Sequence, residues 1–331
     1  MLGNAQNMLR LFPDRFVPIL LATIVFATIF PVSGAAVPIA RGVATGAVVL
    51  LFFLHGIRLP RKEVMQALAN WRLHGAIFTF CFGVMPIAGA LAFYAFSPVL
   101  PPLLALGLVY LGILPSTVQS ATTASSMAGG NVAASVVAAA LINLAGMLVS
   151  PALFVLIAGE QGGFAFSSDM VVRIVSMLLL PFIAGQFAQR WLREWAIRHK
   201  TLTVQLDRST IAIAVYVALS GAVVAGLWRT LSFGHVAWLS LALVLLLVLS
   251  FGGAWTLGQI LKLNRPDAIS LLFAGAQKSV AVGAPMAAIL FPPAQAGAIL
   301  LPLIAFHVAQ LVLSAWLASW LRSNTSTSRS S

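Results

Sequence analysis

Long apolar runs fill most of the chain, and short polar connections separate them. A helix that crosses a bilayer needs about 20 mostly apolar residues. With helix ends placed to within about 2–4 residues, ten stretches meet this requirement, near residues 16–35, 39–57, 73–96, 102–128, 131–158, 170–189, 209–228, 236–261, 267–290 and 296–321. The pattern therefore predicts an all-α polytopic membrane protein with ten transmembrane helices.

The composition agrees with a lipid environment. Of the 331 residues, 60% are hydrophobic and 8% are charged, whereas a soluble domain carries about 25% charged residues. These values exclude an ordinary soluble enzyme, a disordered chain and a nucleic-acid-binding domain. The single cysteine, Cys81, lies inside an apolar run, so neither a disulfide framework nor a cysteine-based metal site is predicted. We expect no cofactor and no metal.

The cationic residues, which give a net charge of +12, lie mostly in the connections. With the N-terminus in the cytoplasm, fifteen Lys and Arg residues fall on the cytoplasmic side, and only Arg41, Arg173 and Arg229 fall outside. Cytoplasmic loops of membrane proteins carry such an excess, so both termini are predicted to be cytoplasmic. We also expect an amphipathic interfacial segment at Leu59–Trp71 and a disordered tail at Ser323–Ser331.

The chain divides into two halves of five spans each, residues 1–160 and 161–322, followed by the tail 323–331. Because five is odd, the second half must enter the membrane the other way up. The fourth span of each half contains helix-breaking residues, which are Pro115 in the first half and Gly275, Gly283 and Pro285 in the second. Inverted repeats with helices interrupted at matching positions point to a transporter site. Simple helix kinks are the alternative.

Lys278 is the only charged residue deep within a span. A lysine at the membrane centre costs about 2.5–3.5 kcal/mol on insertion scales, and no carboxylate lies at that depth. We expect its partners to be carbonyls, hydroxyls or amides, such as Gln119, Ser120 or Thr123. A lysine that extends to the membrane surface is the alternative.

Polar residues of the two interrupted spans and of the spans that follow them are the candidates for a substrate or ion site. Asn143 could instead hold two helices together, and His307 and Gln310, which are three residues apart on one helix face, could form a structural pair. The candidates are Gln119, Ser120, Thr122, Thr123, Ser125, Ser135, Asn143, Gln277, Lys278, Ser279, His307 and Gln310.

Five segments resemble the bile acid:sodium symporter superfamily, in particular its symporter-like bacterial branch, which includes relatives of vertebrate solute carrier family 10 member 7. They are NWRLH at 70–74, LPSTVQS at 114–120, GNVAAS at 130–135, QKS at 277–279 and LPLIAFH at 301–307. The resemblance implies ten helices in two inverted five-helix repeats. Helices 1, 2, 6 and 7 would form a panel and the others a core, in which interrupted helices 4 and 9 cross. It also implies sodium-coupled transport of organic anions, here across a bacterial inner membrane.

The chain departs from this family at the sodium sites. Phe273 stands where relatives have a glutamate, and Lys278 stands where they have an asparagine after the glutamine that corresponds to Gln277. One hydroxyl of helix 5 is lost at Ala139, while Ser135 is kept. The resemblance therefore implies that the sodium sites are dismantled.

We interpret the chain as a secondary transporter of a small organic, anionic solute that works by alternating access. Lys278 would replace the coupling sodium, either as a fixed charge or as a titrating group that couples transport to protons. A genuine sodium symporter built from neutral oxygens is one alternative. A non-transporting regulator of ion homeostasis and a membrane-embedded enzyme are alternatives of other classes. The sequence leaves the solute and the oligomeric state open.

Overall fold

A computed structural model describes residues 16–58, 70–162 and 172–327, and the regular elements within these ranges are all helical. Two of the helices contain a π-helical turn, at Phe80–Val84 and at Val175–Leu179. The helices are α1 Phe16–Ile29, α2 Ala36–Arg58, α3 Trp71–Phe96, α4 Pro102–Ile113, α5 Gln119–Met127, α6 Val132–Gly162, α7 Val172–Arg198, α8 Lys200–Val224, α9 Phe233–Ile260, α10 Arg265–Ala276, α11 Val280–Leu290 and α12 Pro293–Thr327.

Eight helical segments of the described residues are long and apolar enough to cross a membrane, and one of them is α10 together with α11. The helices α1 and α4 are also apolar but have only 14 and 12 residues. Each predicted stretch contains helix, so the all-α prediction is confirmed. The ten-helix inverted repeat, with its division between residues 160 and 161, stays a prediction.

The first break, between α4 and α5, follows from a proline. Leu114 is extended, with φ −71° and ψ 150°, as expected for a residue before proline. Pro115 has no N–H to continue the helix.

The second break falls between α10 and α11, at Gln277–Ser279, where there is no proline. Ser279 caps α11 by accepting a hydrogen bond from the Val282 N–H at 3.3 Å, a typical N-cap contact. The predicted position of this break, at Gly275, Gly283 and Pro285, is therefore wrong by a few residues, because these three residues lie inside the helices on either side. A Cβ on Gly283 would lie 2.5 Å from a Leu303 methyl group, so this glycine permits close packing.

The helices pack as two neighbouring groups. In one group, α2 packs against α7 and α8, and α1 packs against α8. In the other, α3 and α12 pack against α4, and α9, α5 and α6 pack against α10. The two groups meet where α8 contacts α11 and α12, which places both helix breaks beside the boundary between the groups.

Two predicted segments, the amphipathic segment and the C-terminal tail, extend beyond the described residues. Most of the predicted amphipathic segment, residues 59–69, lies outside them. The last helix continues to Thr327, so the predicted tail begins as helix rather than as disordered chain. The hydrogen bond from the Ser323 hydroxyl to the Trp320 carbonyl, at 2.8 Å, belongs to this helical extension.

Candidate functional site

The two helix breaks touch each other. The Ser279 N–H donates to the Pro115 carbonyl at 3.0 Å. The hydroxyls of Thr117 and Ser120 both donate to Gln277 Oε1, and Gln277 Nε2 donates to Ser314 Oγ of α12 at 2.9 Å. Gln277 is completely buried, so its amide joins both breaks and α12 in one hydrogen-bonded unit.

Side-chain amides from neighbouring helices satisfy the backbone groups that the breaks release. Asn143 Nδ2 of α6 donates to the Ser116 carbonyl at 3.0 Å. Gln310 of α12 binds both sides of Lys278, because Oε1 accepts from its N–H at 2.7 Å and Nε2 donates to its carbonyl at 2.8 Å. Lipid offers no such partners, so irregular backbone at membrane depth needs them from the protein.

Lys278 has 0% of its surface exposed. Its ammonium donates to the carbonyls of Gly112 at 2.9 Å, Leu114 at 2.7 Å and Cys81 at 3.4 Å. The first two carbonyls lie at the C-terminal end of α4, where carbonyls lack helical partners and the helix dipole is negative. The third lies in the π-helical turn Phe80–Val84 of α3. Three acceptors thus surround one cation in a compartment without water-exposed surface.

These partners correct part of the sequence interpretation. Carbonyls were expected among the partners of Lys278, but Gln119, Ser120 and Thr123 do not bind its ammonium. All three belong to α5, whose first turn presents the positive end of a helix dipole. A cation is attracted instead to the negative end of α4.

A cavity of about 400 Å³ lies between the two groups of helices. Its inner wall is formed by polar residues at or beside the breaks, and much of the remaining wall is apolar. Five predicted site residues line it, together with Thr117, which sequence reasoning did not single out. The five are Gln119, Ser120, Asn143, Ser279 and His307.

His307 connects this wall to Lys278. Its Nδ1 lies 2.8 Å from Gln310 Nε2 and 3.3 Å from the Lys278 carbonyl. The Lys278 N–H fixes the Gln310 amide with its oxygen toward that N–H, so Nε2 is the donor and Nδ1 of the imidazole accepts.

The other predicted site residues do not line this cavity. Gln277, Lys278 and Gln310 are fully buried behind its wall. Thr123 lines a separate small pocket of about 40 Å³ between α5 and α12. Thr122 Oγ1 is buried without a hydrogen-bond partner among the described residues.

Ser125 and Ser135 belong to a chain of hydroxyls away from the cavity. The Ser135 hydroxyl donates to Ser125 Oγ at 3.0 Å, and Ser125 Oγ lies 3.0 Å from Ser270 Oγ. The Ser270 hydroxyl in turn donates to the Asn131 carbonyl at 3.0 Å. The chain joins α5, α6 and α10 beside the turn between α5 and α6.

The opposite end of the cavity carries charge that sequence reasoning missed. Arg58 of α2 and Asp207 of α8 form a two-point ion pair, with N–O distances of 2.8 and 2.7 Å. His55 and Arg208 line the same end. In the sequence, Arg58 and Arg208 served only as markers of topology. The sequence signal for this end is the adjacent acidic and basic residues at positions 207 and 208, which directly precede the apolar stretch 209–228.

Comparison with known proteins places this architecture in a family. The model of the SBF-like CPA transporter family matches residues 14–323. "Uncharacterized protein PA2026" of Pseudomonas aeruginosa is 37% identical over 309 residues, which are 93% of each chain. "Putative symporter YfeH" of Escherichia coli K12 is 38% identical over 306 residues, or 92% of each chain. Mouse "Sodium/bile acid cotransporter 7" is 26% identical over 288 residues, 84% of this chain and 82% of the relative. The resemblance read from the motifs is thereby confirmed.

Proposed function

This chain belongs to the SBF-like CPA transporter family, and we propose that it moves a small organic anion across the bacterial inner membrane by alternating access, with Lys278 in the place of a coupling sodium ion. The chain is a multi-pass membrane transporter and not an enzyme. The solute, its charge and the role of Lys278 are the parts that we propose.

The binding of the Lys278 ammonium to three backbone carbonyls carries this proposal. In transporters with broken helices, carbonyls of unwound backbone and of half-helix C-terminal ends coordinate the driving cation. Here the ammonium already occupies such a set of ligands. A covalently attached cation cannot dissociate, so it supplies the charge without supplying a sodium gradient as driving force. The proposed consequence is uniport or exchange rather than sodium symport.

Hydrogen-bond counting favours a fixed charge over a titrating one. The three carbonyls can only accept, and a lysine ammonium has three N–H donors. A neutral amine has two, so loss of the proton would leave one buried carbonyl without a donor, which costs about 1–3 kcal/mol. The geometry therefore supports Lys278 as a permanent cation.

Two features of the cavity support an anionic solute. Among the described residues of its wall, two carry a guanidinium, Arg58 and Arg208, and one carries a carboxylate, Asp207. The first turns of α5 and α11 also reach the wall, through Gln119 and Ser279, and helix N-termini favour negative groups. By the positive-inside rule, the end with both arginines faces the cytoplasm.

Reconstituted protein provides the test. We expect uptake of labelled organic anions into proteoliposomes to be unchanged when sodium is replaced by choline. Thermal unfolding of the purified protein should likewise show no sodium-specific shift, whereas a ligand at 100 times its dissociation constant stabilises by about 2.7 kcal/mol. A sodium-specific increase in the unfolding temperature of the wild type would establish the sodium symporter instead. Failure to move any anion of a broad panel would favour the non-transporting regulator.

Lys278→Ala sharpens the same test, with Lys200→Ala as the matched control, since Lys200 is exposed at the start of α8. Removing the ammonium leaves three carbonyls in the geometry of a cation site. We expect sodium to stabilise Lys278→Ala more than choline does, and to leave Lys200→Ala unaffected.

A further inference from the structure

We propose that the end of α7 that leads into α8 binds an anionic phospholipid, with Arg190 and Arg193 holding the phosphate and an apolar strip of the same helix holding an acyl chain. This inference does not depend on the solute or on the role of Lys278. It requires that α7 crosses the membrane, for which the helix is long and apolar enough.

An exposed apolar strip runs along α7 toward its last turns. Leu180, Ile183 and Phe187 are 54%, 38% and 70% exposed, and their spacing of three and four residues places them on one face of the helix. The helix packs on α2 with another face, which contains the buried residues Phe182 and Gly185. The strip is therefore open to lipid.

Two arginines follow the strip where α7 nears its end. Arg190 comes three residues after Phe187, and Arg193 three residues after Arg190; both arginines are exposed. The Arg190 guanidinium lies 3.6 Å from the centroid of the Trp191 ring, which is a cation–π contact. Trp191 is itself 65% exposed, and tryptophan is enriched where membrane and water meet. This part of α7 therefore lies at the level of the lipid headgroups.

The end of α7 carries an excess of positive charge. Between residues 190 and 200 there are four cations, Arg190, Arg193, Arg198 and Lys200, and one acid, Glu194. Glu194 pairs with Arg198 at 3.1 Å, and no carboxylate of the described residues pairs with Arg190 or Arg193. By the positive-inside rule this end faces the cytoplasm, where clusters of about 4–8 basic residues beside a span attract anionic lipids.

An open cleft of about 650 Å³ lies along the same turns of α7. The described residues that line it include Phe187, Arg190, Trp191 and Arg193, so apolar and basic side chains share one concave surface. A free phosphate ion would contact only the arginines. A phospholipid also covers the apolar strip, because its acyl chain extends from the phosphate toward the membrane interior. The combination favours the lipid.

The test titrates the purified protein in uncharged detergent with three probes. They are dioctanoyl phosphatidylglycerol, which is anionic, dioctanoyl phosphatidylcholine, which has the same acyl chains and no net charge, and inorganic phosphate. Native mass spectrometry counts the bound lipids, and thermal unfolding measures the affinity for each probe. In the wild type we expect phosphatidylglycerol to bind at least tenfold more tightly than phosphatidylcholine, and phosphate at the same concentrations to give no shift.

Three double variants locate the site. Because each basic residue contributes about fivefold to the binding of anionic lipid, Arg190→Gln/Arg193→Gln should weaken phosphatidylglycerol at least tenfold, to the affinity of phosphatidylcholine. Arg190→Lys/Arg193→Lys keeps both charges and should keep most of the preference. The matched control, Arg41→Gln/Arg229→Gln, removes the same total charge at exposed positions outside α7 and should bind phosphatidylglycerol as the wild type does.

The inference is overturned if the wild type binds both lipids equally, or if the glutamine variant keeps its preference for phosphatidylglycerol. It is also overturned if the lysine variant or the control variant loses that preference. A shift produced by inorganic phosphate alone would assign the two arginines to a soluble anion instead of a lipid. None of these measurements involves transport, so their failure would leave the proposed function standing, and a failure of the proposed function would leave the lipid site standing.

Discussion

The two helix breaks are built from opposite kinds of parts. The first, at Leu114–Val118, is made by Pro115, carries no charge, and exposes the negative end of α4. The second, at Gln277–Ser279, has no proline and carries Lys278. The Lys278 ammonium of the second break binds the carbonyls at the C-terminal end of α4 in the first. The second break therefore supplies the cation, and the first supplies carbonyls that bind it.

The breaks also differ in what keeps them open. Proline interrupts the first helix covalently, whatever its neighbours are. The second depends on hydrogen bonds from Gln310, which replaces the helical partners of the Lys278 N–H and carbonyl. We therefore expect the second break to be the more sensitive of the two to substitutions in surrounding helices.

The largest effect is expected for Lys278→Met, which retains most of the side-chain volume but removes the ammonium. Three buried carbonyls then lose their donor, and each buried group left unsatisfied costs about 1–3 kcal/mol. Chemical unfolding in detergent should show this loss, with Lys200→Met as the control. A variant within about 1 kcal/mol of the wild type would mean that the ammonium does not hold the breaks together.

The next effect separates the two ways of satisfying the breaks. Gln310→Met leaves two buried groups, the N–H and the carbonyl of Lys278, without their amide partner. Asn143→Leu leaves one, the Ser116 carbonyl, because the Ala139 carbonyl that Asn143 also binds lies inside α6. At about 1–3 kcal/mol for each buried group left unsatisfied, Gln310→Met should cost about twice as much. Equal losses of unfolding free energy would contradict the proposed asymmetry between the breaks.

The sequence predicts the position of the first break more accurately than that of the second, because the cause of the first break is local. Pro115 stops a helix by its own covalent structure. At the second break, glycine and proline were weighed as breakers, but Gly283 serves close packing against Leu114 and Leu303. That role depends on which residues the fold brings against it, which spacing along the chain does not reveal.

The same limit applies to the chemistry of the site. That Lys278 would need polar partners followed from its depth, but the choice of the α4 carbonyls depends on which helix end faces it. The pairing of Arg58 with Asp207 joins residues 149 positions apart. Apolar runs predict helices well, whereas contacts between distant helices are set by packing that the runs do not encode.

A smaller difference in stability is expected between alanine substitutions of two glycines, one beside each break. A Cβ on Gly146 would lie 2.8 Å from the Pro115 ring, and one on Gly283 would lie 2.5–2.7 Å from leucine methyl groups. A proline ring at a helix break cannot turn away, but leucine ends can shift. Since overpacking costs about 1–3 kcal/mol and alanine gains up to about 1 kcal/mol over glycine in a helix, Gly146→Ala should be destabilising and Gly283→Ala close to neutral. Thermal unfolding of both variants checks the order, and a reversed order would contradict it.

The smallest effect is expected at Thr122, which lies in the first turn of α5 after the first break. Its hydroxyl oxygen is buried without a partner among the described residues, so Thr122→Val removes an unsatisfied polar group and keeps the shape. The matched control is Thr117→Val, which loses the contacts of that hydroxyl with Gln277 and Ser120. We expect Thr122→Val to be neutral or stabilising by up to about 1 kcal/mol, and Thr117→Val to cost about 1–3 kcal/mol.

Anion uptake measured beside stability tests whether the Thr122 hydroxyl contacts the solute instead. A Thr122→Val protein that is stable but transports poorly would place this hydroxyl in the transport path. Unchanged uptake would mean that the solute contacts Thr117 and its neighbours in the cavity wall rather than the Thr122 hydroxyl.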